Sequence, residues 1–369
     1  MRQPRIAVVV GTRPEIIKMA EIVQLLGPRA MLVHSGQHWD DAMSGAFLRG
    51  LGLPAPVASL AVGGQTRAMQ IAETIRGLES LFDRERPAAV VVQGDTNTVV
   101  GGAITANALE IPLVHVEAGL RSFDRRMPEE HNRVVTDHLA DLCLAPTTNS
   151  RDNLLAEGIP ADRISVTGNT IVGAVAAVLR ATLETTYARI EELGLTPDDF
   201  VVATIHRPEN TDDPRRLTTL LDNLAAIAER TRVLLPLHPR TRGRIASFGL
   251  DAKLAPLTLL DPLPYDEFVG LCAQAAFTIS DSGGIQEEAS VWRRPVIVVR
   301  RSTERPEVIG TFAHLCEPGH GLVREALALY AAKEFTIAQL AQLPSPYGDE
   351  HAAQRCLDAL DQLVENRCV

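Results

Sequence analysis

The sequence predicts an α/β protein built from two doubly wound, parallel-sheet domains in tandem. Three observations predict it. Short apolar runs rich in Val, Ile and Leu alternate with helical patterns almost throughout the 369 residues. The runs are near-continuous rather than alternating, as strands covered on both faces require. The series then restarts after a helix and a loop, so a second sheet follows the first.

The first series places strands at 6–10, 31–34, 88–93, 113–116, 142–145 and 164–167, each bounded by turn residues. The second places them at 200–205, 232–237, 257–260, 277–280 and 296–299. The joint is expected near 168–173 or in the helix that follows. Residues 217–230 (LTTLLDNLAAIAER) carry apolar side chains at helical spacing and are expected to cover the second sheet. Residues 351–364 form another amphipathic helix. The sequence contains no low-complexity tract, heptad array or repeat of 20 to 50 residues. In this fold class a ligand is expected at the C-terminal ends of the strands, in a cleft between domains.

Composition narrows the function classes. The chain is 46% hydrophobic, long enough for two full cores, yet only 4% aromatic, so those cores are built from Ala, Val, Leu and Ile. A net charge of −10 argues against a general nucleic-acid or membrane-surface binder. Local Arg and His can still dominate one phosphate-binding cleft. The five cysteines (Cys143, Cys272, Cys316, Cys356, Cys368) form no C-x-x-C pair, which favours a reducing cytosol. The first ten residues, MRQPRIAVVV, hold an apolar run too short for a signal peptide. No apolar run approaches a membrane span, so a cytoplasmic protein is expected.

Three acidic residues carry the first chemical signal. Asp95, Glu117 and Glu129 lie within 35 residues, each at a strand end or helix start. Asp95 follows a buried strand in QGDTNT (93–98), where it could equally cap the next helix. Glu117 ends the strand of HVEAGLR (115–121), at a position where ligands bind rather than where cores pack. Glu129 and Glu130 open a helix in PEEHNR (128–133), and either could simply complement its dipole. Together the three suggest proton transfer on a bound ligand. The first strand runs into GTRPEIIK (11–18), where Gly11 allows a tight turn, Pro14 suits a helix start and Arg13 can reach a ligand. No G-x-G-x-x-G or Walker A motif occurs, which removes the usual support for nicotinamide or nucleoside triphosphate. His115, His131 and His138 lack an H-E-x-x-H or a cysteine cluster, so no metal is expected.

The second half supplies anion-binding signals. TIHRPEN (204–210) and PLHPRTR (236–242) put His206, Arg207 and His238 at strand ends. DSGGIQEEA (281–289) turns from strand into helix at Ser282, Gly283 and Gly284, whose backbone amides form a ready anion site. Glu287 and Glu288 lie one turn on. A carboxylate there can accept from a ribose diol, so a nucleoside diphosphate fits better than bare phosphate. Arg305 lies in the cationic stretch 300–307 that follows the next strand.

These motifs, in this order and with TGNT (167–170), TERPE (303–307) and SPYGD (345–349), resemble the non-hydrolysing UDP-N-acetylglucosamine 2-epimerases over nearly the whole chain. The resemblance implies the GT-B architecture, with an N-terminal Rossmann-like domain (1–168, joined by the C-terminal helix at about 350–369) and a UDP-binding domain (169–349). It implies acid/base roles for Asp95, Glu117 and Glu129 and links His206 to departing UDP. It also implies substrate contacts for Arg13, Lys18, Arg133, Arg207, His238, Ser282, Gly283, Gly284, Glu288 and Arg305. The implied reaction eliminates UDP across C1–C2 to give 2-acetamidoglucal, then re-adds it with the C2 proton on the other face. The resemblance further implies no cofactor and a homodimer. Two departures stand out. The segment after Glu307 is about two residues shorter by motif comparison, and the effector-site segment keeps Gln37 and His38 but continues differently. Competing readings are a modified UDP-sugar epimerase, a hydrolysing 2-epimerase, a GT-B glycosyltransferase and a silent nucleotide-sugar binder.

Overall fold

The computed structural model describes residues 4–37 and 48–367. The chain divides into two compact units, Met1–Ala174 with Tyr347–Val369, and Val175–Pro346. The division falls inside a single long helix, Ile171–Glu192. That helix has 22 residues and, by length and composition alone, is apolar enough to cross a membrane. The same helix carries Arg180, Glu184, Arg189, Glu191 and Glu192 along its second half.

The first unit is a seven-stranded parallel sheet among the described residues. Its strands are β1 (Ile6–Val10), β2 (Ala30–His34), β3 (Ala58–Ser59), β4 (Ala89–Gln93), β5 (Leu113–Val116), β6 (Leu142–Ala145) and β7 (Ile164–Val166). They lie in the order β3-β2-β1-β4-β5-β6-β7. Ile6, Val8 and Val10 point to one face and Ala7 and Val9 to the other, each within its own apolar cluster. Helix α1 (Arg13–Leu26) and the C-terminal helix Ala352–Arg367 share the first cluster, through Ile16, Met19 and Val23 against Cys356, Leu360 and Val364. The chain therefore returns to its first sheet because that sheet face has apolar area still to cover.

The second unit repeats the plan with six parallel strands among the described residues. These are β8 (Phe200–Thr204), β9 (Arg232–Pro236), β10 (Thr258–Leu260), β11 (Phe277–Ser280), β12 (Val296–Val298) and β13 (Ala313–Leu315), in the order β10-β9-β8-β11-β12-β13. Both units are thus doubly wound in the Rossmann manner, the GT-B class. In each, strand order reverses beside the first strand, between β1 and β4 and between β8 and β11. Loops leaving a sheet to opposite sides at that point open a crevice where ligands bind. The sequence missed β3 and β13, which are edge strands of two and three residues. Pieces that short leave no periodic signal. The segment after Glu307 folds as a 3-10 turn, Pro306–Val308, leading into β13.

Candidate active site

In the first unit, four sequence motifs converge on one carboxylate oxygen. Glu117 follows β5 with φ +69°, a left-handed conformation uncommon for a residue with a side chain. Its buried Oε2 accepts from Lys18 Nζ of α1, from Gln93 Nε2 at 2.9 Å and from Asn169 Nδ2 at 3.4 Å. Lys18 belongs to GTRPEIIK, Gln93 to QGDTNT and Asn169 to TGNT. The Lys18–Glu117 pair is buried on both sides, so removing either partner alone strands a charge at a cost of about 3–5 kcal/mol. Gln93 Oε1 is buried with no hydrogen-bond partner among the described residues, so the amide next to Glu117 keeps an unused acceptor.

The turn after Glu117 is braced from below. Gly119 has φ +83°, and a Cβ there would lie 2.2 Å from the Ser150 carbonyl oxygen. Asp137, wholly buried, accepts from the Gly119 amide at 3.2 Å and pairs with His115 Nδ1 at 2.6 Å and Arg121 Nη1 at 2.8 Å. Burial opposes its charge, but His115 and Arg121 more than offset this and hold its carboxyl below the usual range. The other nitrogen of His115 lies 2.8 Å from the Gly94 carbonyl oxygen, directly before Asp95. His115 therefore serves the scaffold. His131 Nε2 lies 2.9 Å from the Arg125 carbonyl oxygen.

Asp95 pairs with Arg133, and its carbonyl accepts from Asn132 Nδ2 at 2.8 Å. The alternative of Asp95 as a helix cap does not hold. The helix Asn97–Ala108 begins after Thr96, and the side chain accepting from its Thr98 amide is that of Gln37, at 3.0 Å. Gln37 therefore has a capping role here, while His38 lies outside the described residues. The pair Glu129 and Glu130 divides clearly on helix Pro128–Leu139. Glu130 accepts from the Ser122 and Phe123 amides at 3.0 and 2.8 Å and pairs with Arg133 at 2.8 Å. Burial pushes its carboxyl up, yet the Ser122 amide and Arg133 hold it down overall. Glu129 is half-buried and has no hydrogen bond or ion pair among the described residues.

Sequence reading missed Glu15. It is buried on α1, where its carboxylate accepts from the Gly11 amide at 3.1 Å, Thr12 Oγ1 at 2.7 Å and Thr96 Oγ1 at 3.0 Å. It thus ties the β1–α1 turn to the turn that carries Asp95. Burial outweighs those donors and raises its pKa to about 7. Its place one residue after Pro14 was the available signal, but it also suits an ordinary helix-dipole acid.

In the second unit, Asp281 is the organising residue. It directly follows β11 and is wholly buried. It accepts from the His206 and Arg207 amides at 3.1 and 2.9 Å and from Asn210 Nδ2 at 3.0 Å, and lies 3.1 Å from His206 Nδ1. Burial works against the charge, but these donors hold the carboxyl below its usual range. The His206 and His238 rings stand 5.7 Å apart, tilted by 38°. Ser282 is the N-cap of the helix Gly283–Trp292 and makes no side-chain cap bond. A Cβ on Gly284 would meet nothing within 4 Å, so the space beside that residue is open, and the Ser282 amide donates to Ser280 Oγ at 3.0 Å. Glu288, one turn on, is oriented by Tyr265 Oη at 2.9 Å. Arg305 is placed differently from a surface cation. It is buried beneath Gly283, paired with Glu287 at 2.7 Å and with Glu304. The motifs of this half thus meet at the ends of β8 and β11, and Arg13 is the first residue of α1 in the first unit.

A family model described as UDP-N-acetylglucosamine 2-epimerase matches residues 27–361. The UDP-N-acetylglucosamine 2-epimerase of Methanocaldococcus jannaschii is 37% identical over 365 residues, covering 96% of this chain and 98% of that one. A crystal structure of the M. jannaschii UDP-GlcNAc 2-epimerase in complex with UDP-GlcNAc and UDP superimposes with a TM-score of 0.88 at 36% identity, covering 97% and 99% of the two chains. The UDP-2,3-diacetamido-2,3-dideoxy-D-glucuronate 2-epimerase of Pseudomonas aeruginosa is 35% identical over 97% of this chain and 100% of that one.

Proposed function

Because the chain belongs to the UDP-N-acetylglucosamine 2-epimerase family, we propose that it interconverts UDP-GlcNAc and UDP-ManNAc without hydrolysis. The observation that carries the proposal is Glu117, a buried carboxylate in a left-handed turn on which Lys18, Gln93 and Asn169 converge. Packing alone gives no reason to hold a charged side chain in that conformation at a strand end.

The C2 hydrogen of the sugar is not next to a carbonyl, so direct removal and return would be costly. Elimination avoids a free carbanion. The C2–H bond breaks to a carboxylate, its electron pair forms the C1–C2 double bond, and the C1–O bond breaks with its pair leaving on UDP. Re-addition of UDP to C1 with protonation of C2 from the opposite face gives the epimer. Two acid/base groups on opposed faces are required, and Asp95, Glu117 and Glu129 are the candidates. His206, Arg207 and the amides of Gly283 and Gly284 are assigned to the diphosphate, where they offset the charge that accumulates as UDP departs. Glu288 is assigned to the ribose hydroxyls. Arg13 and His238 are assigned to substrate contacts. Lys18, Arg133 and Arg305 are assigned to holding carboxylates in place.

Incubation with UDP-GlcNAc in D2O tests this. The expected result is both UDP-sugars, each carrying one deuterium at C2, by NMR. Products that keep the original hydrogen would rule out elimination, and free ManNAc with UDP would show a hydrolysing enzyme. The similarity to the Pseudomonas aeruginosa enzyme favours a second reading, a 2-epimerase of a diacetamido uronate UDP-sugar. A higher kcat/KM on that substrate than on UDP-GlcNAc would select it.

A further inference from the structure

His206 lies two residues beyond β8, and Asp281 lies one residue beyond the neighbouring strand β11. Asp281 joins the two strand ends across 75 residues of sequence. Its oxygens face only donors: two backbone amides, the Asn210 amide group and His206 Nδ1. An acceptor-only neighbour 3.1 Å away requires that Nδ1 carry a proton. The opposite ring nitrogen, Nε2, is then on the edge of a side chain that remains about one-third exposed (37%). Asp281 is also the residue before Ser282, the N-cap of the helix Gly283–Trp292.

We propose that Asp281 is a positioning residue for the departing diphosphate. It holds the Nδ1–H of His206, leaving Nε2 for the anion that the Gly283 and Gly284 amides also receive. The proposal rests on the epimerase reading and deepens it. When the C1–O bond breaks, its electron pair stays on the β-phosphate oxygen. His206 can donate to that oxygen through Nε2 only when both ring nitrogens carry protons. Asp281, by occupying Nδ1–H, fixes the ring's orientation and leaves Nε2 as the nitrogen that meets the leaving group. Arg207, held by its amide on the same carboxylate, and His238, 5.7 Å from the ring, are the other groups that face this point.

The test combines spectroscopy with a mutant cycle on the full chain. In protein labelled with 15N-histidine, the His206 signal is assigned by its loss in H206Q. It is expected to show a protonated Nδ1 in the wild type and a changed pattern in D281N. D281N is expected to lower kcat about 100-fold, with H206Q lowering it comparably. The double variant is then expected to be no slower than H206Q alone. A bare Nδ1 in the wild type, or losses that multiply in the double variant, would overturn the proposal. Should D281N fail to fold, the wild-type spectrum decides. Wild-type protein that shows the expected His206 signal but does not turn over UDP-GlcNAc would sink the epimerase reading. In that case, an unchanged UDP affinity in D281N would overturn the positioning role as well.

Discussion

Glu117 pays for its position twice, with a left-handed backbone and with a buried charge held by three donors. Glu117→Gln keeps the shape and most of the hydrogen bonding but removes the charge. Its kcat is expected to fall about 1,000-fold, read by product formation, with UDP affinity unchanged by calorimetry. A variant within tenfold of wild type would remove Glu117 from the proton-transfer set. Glu15 gives a prediction on stability. Its ordinary pKa is 4.5 and its folded value is about 7. Between those values the folded state holds a proton that the unfolded chain has lost, so stability falls as pH rises through the window. Above pH 7 the charge is buried at a cost of about 3 kcal/mol. Glu15→Gln removes that dependence. Its stability relative to wild type is expected to improve by this order between pH 4.5 and 8, from urea midpoints at each pH. A difference that stays constant across the range would show that Glu15 does not titrate there.

At the scale of elements, the function depends on turns rather than on strands or helices. The β5 turn works because Gly119 packs against the backbone of Ser150 with no room for a side chain. Gly119→Ala is expected to destabilise the fold by at least about 2 kcal/mol, because the positive φ is strained and the clashing atoms are backbone. Thermal unfolding measures this, and a shift below 2 °C would mean the turn can relax. The Ser282 turn, proposed to receive the diphosphate, differs in that space beside Gly284 is open. Two glycines that look alike in sequence therefore have different tasks, one in close packing and one in leaving a surface clear.

At the scale of the whole molecule, Asp95, Glu117 and Glu129 belong to one compact unit and the Ser282 turn to the other. Binding of UDP is assigned to the second unit and should not depend on Glu117. UDP at 100 times its Kd is expected to stabilise wild type and Glu117→Gln equally, by about 2.7 kcal/mol. A stabilisation lost in the variant would place Glu117 in UDP binding rather than in proton transfer.

The sequence by itself determined the architecture and the chemistry's raw materials. Eleven expected strands, 6–10 through 296–299, correspond to observed strands with ends within one residue or so, because buried parallel strands must be continuous apolar runs. Asp95, Glu117, His206 and the Ser282 turn could be singled out in the sequence because each follows an expected strand, and the roles proposed for them came through the family resemblance. Only the tertiary structure decided what each polar group does. Lys18 reads as a ligand contact in a helix, yet it meets Glu117 across 99 residues. Glu129 and Glu130 are equivalent in sequence, and only folding commits Glu130 to the Ser122 loop and Arg133. Glu15 and Asp281 gave no periodic signal, because Thr96 for the one and residues 206–210 for the other are brought to them only by the fold. Local patterns follow from the chain's own geometry, whereas the state of a carboxylate is set by which distant donors and how much water the fold leaves around it.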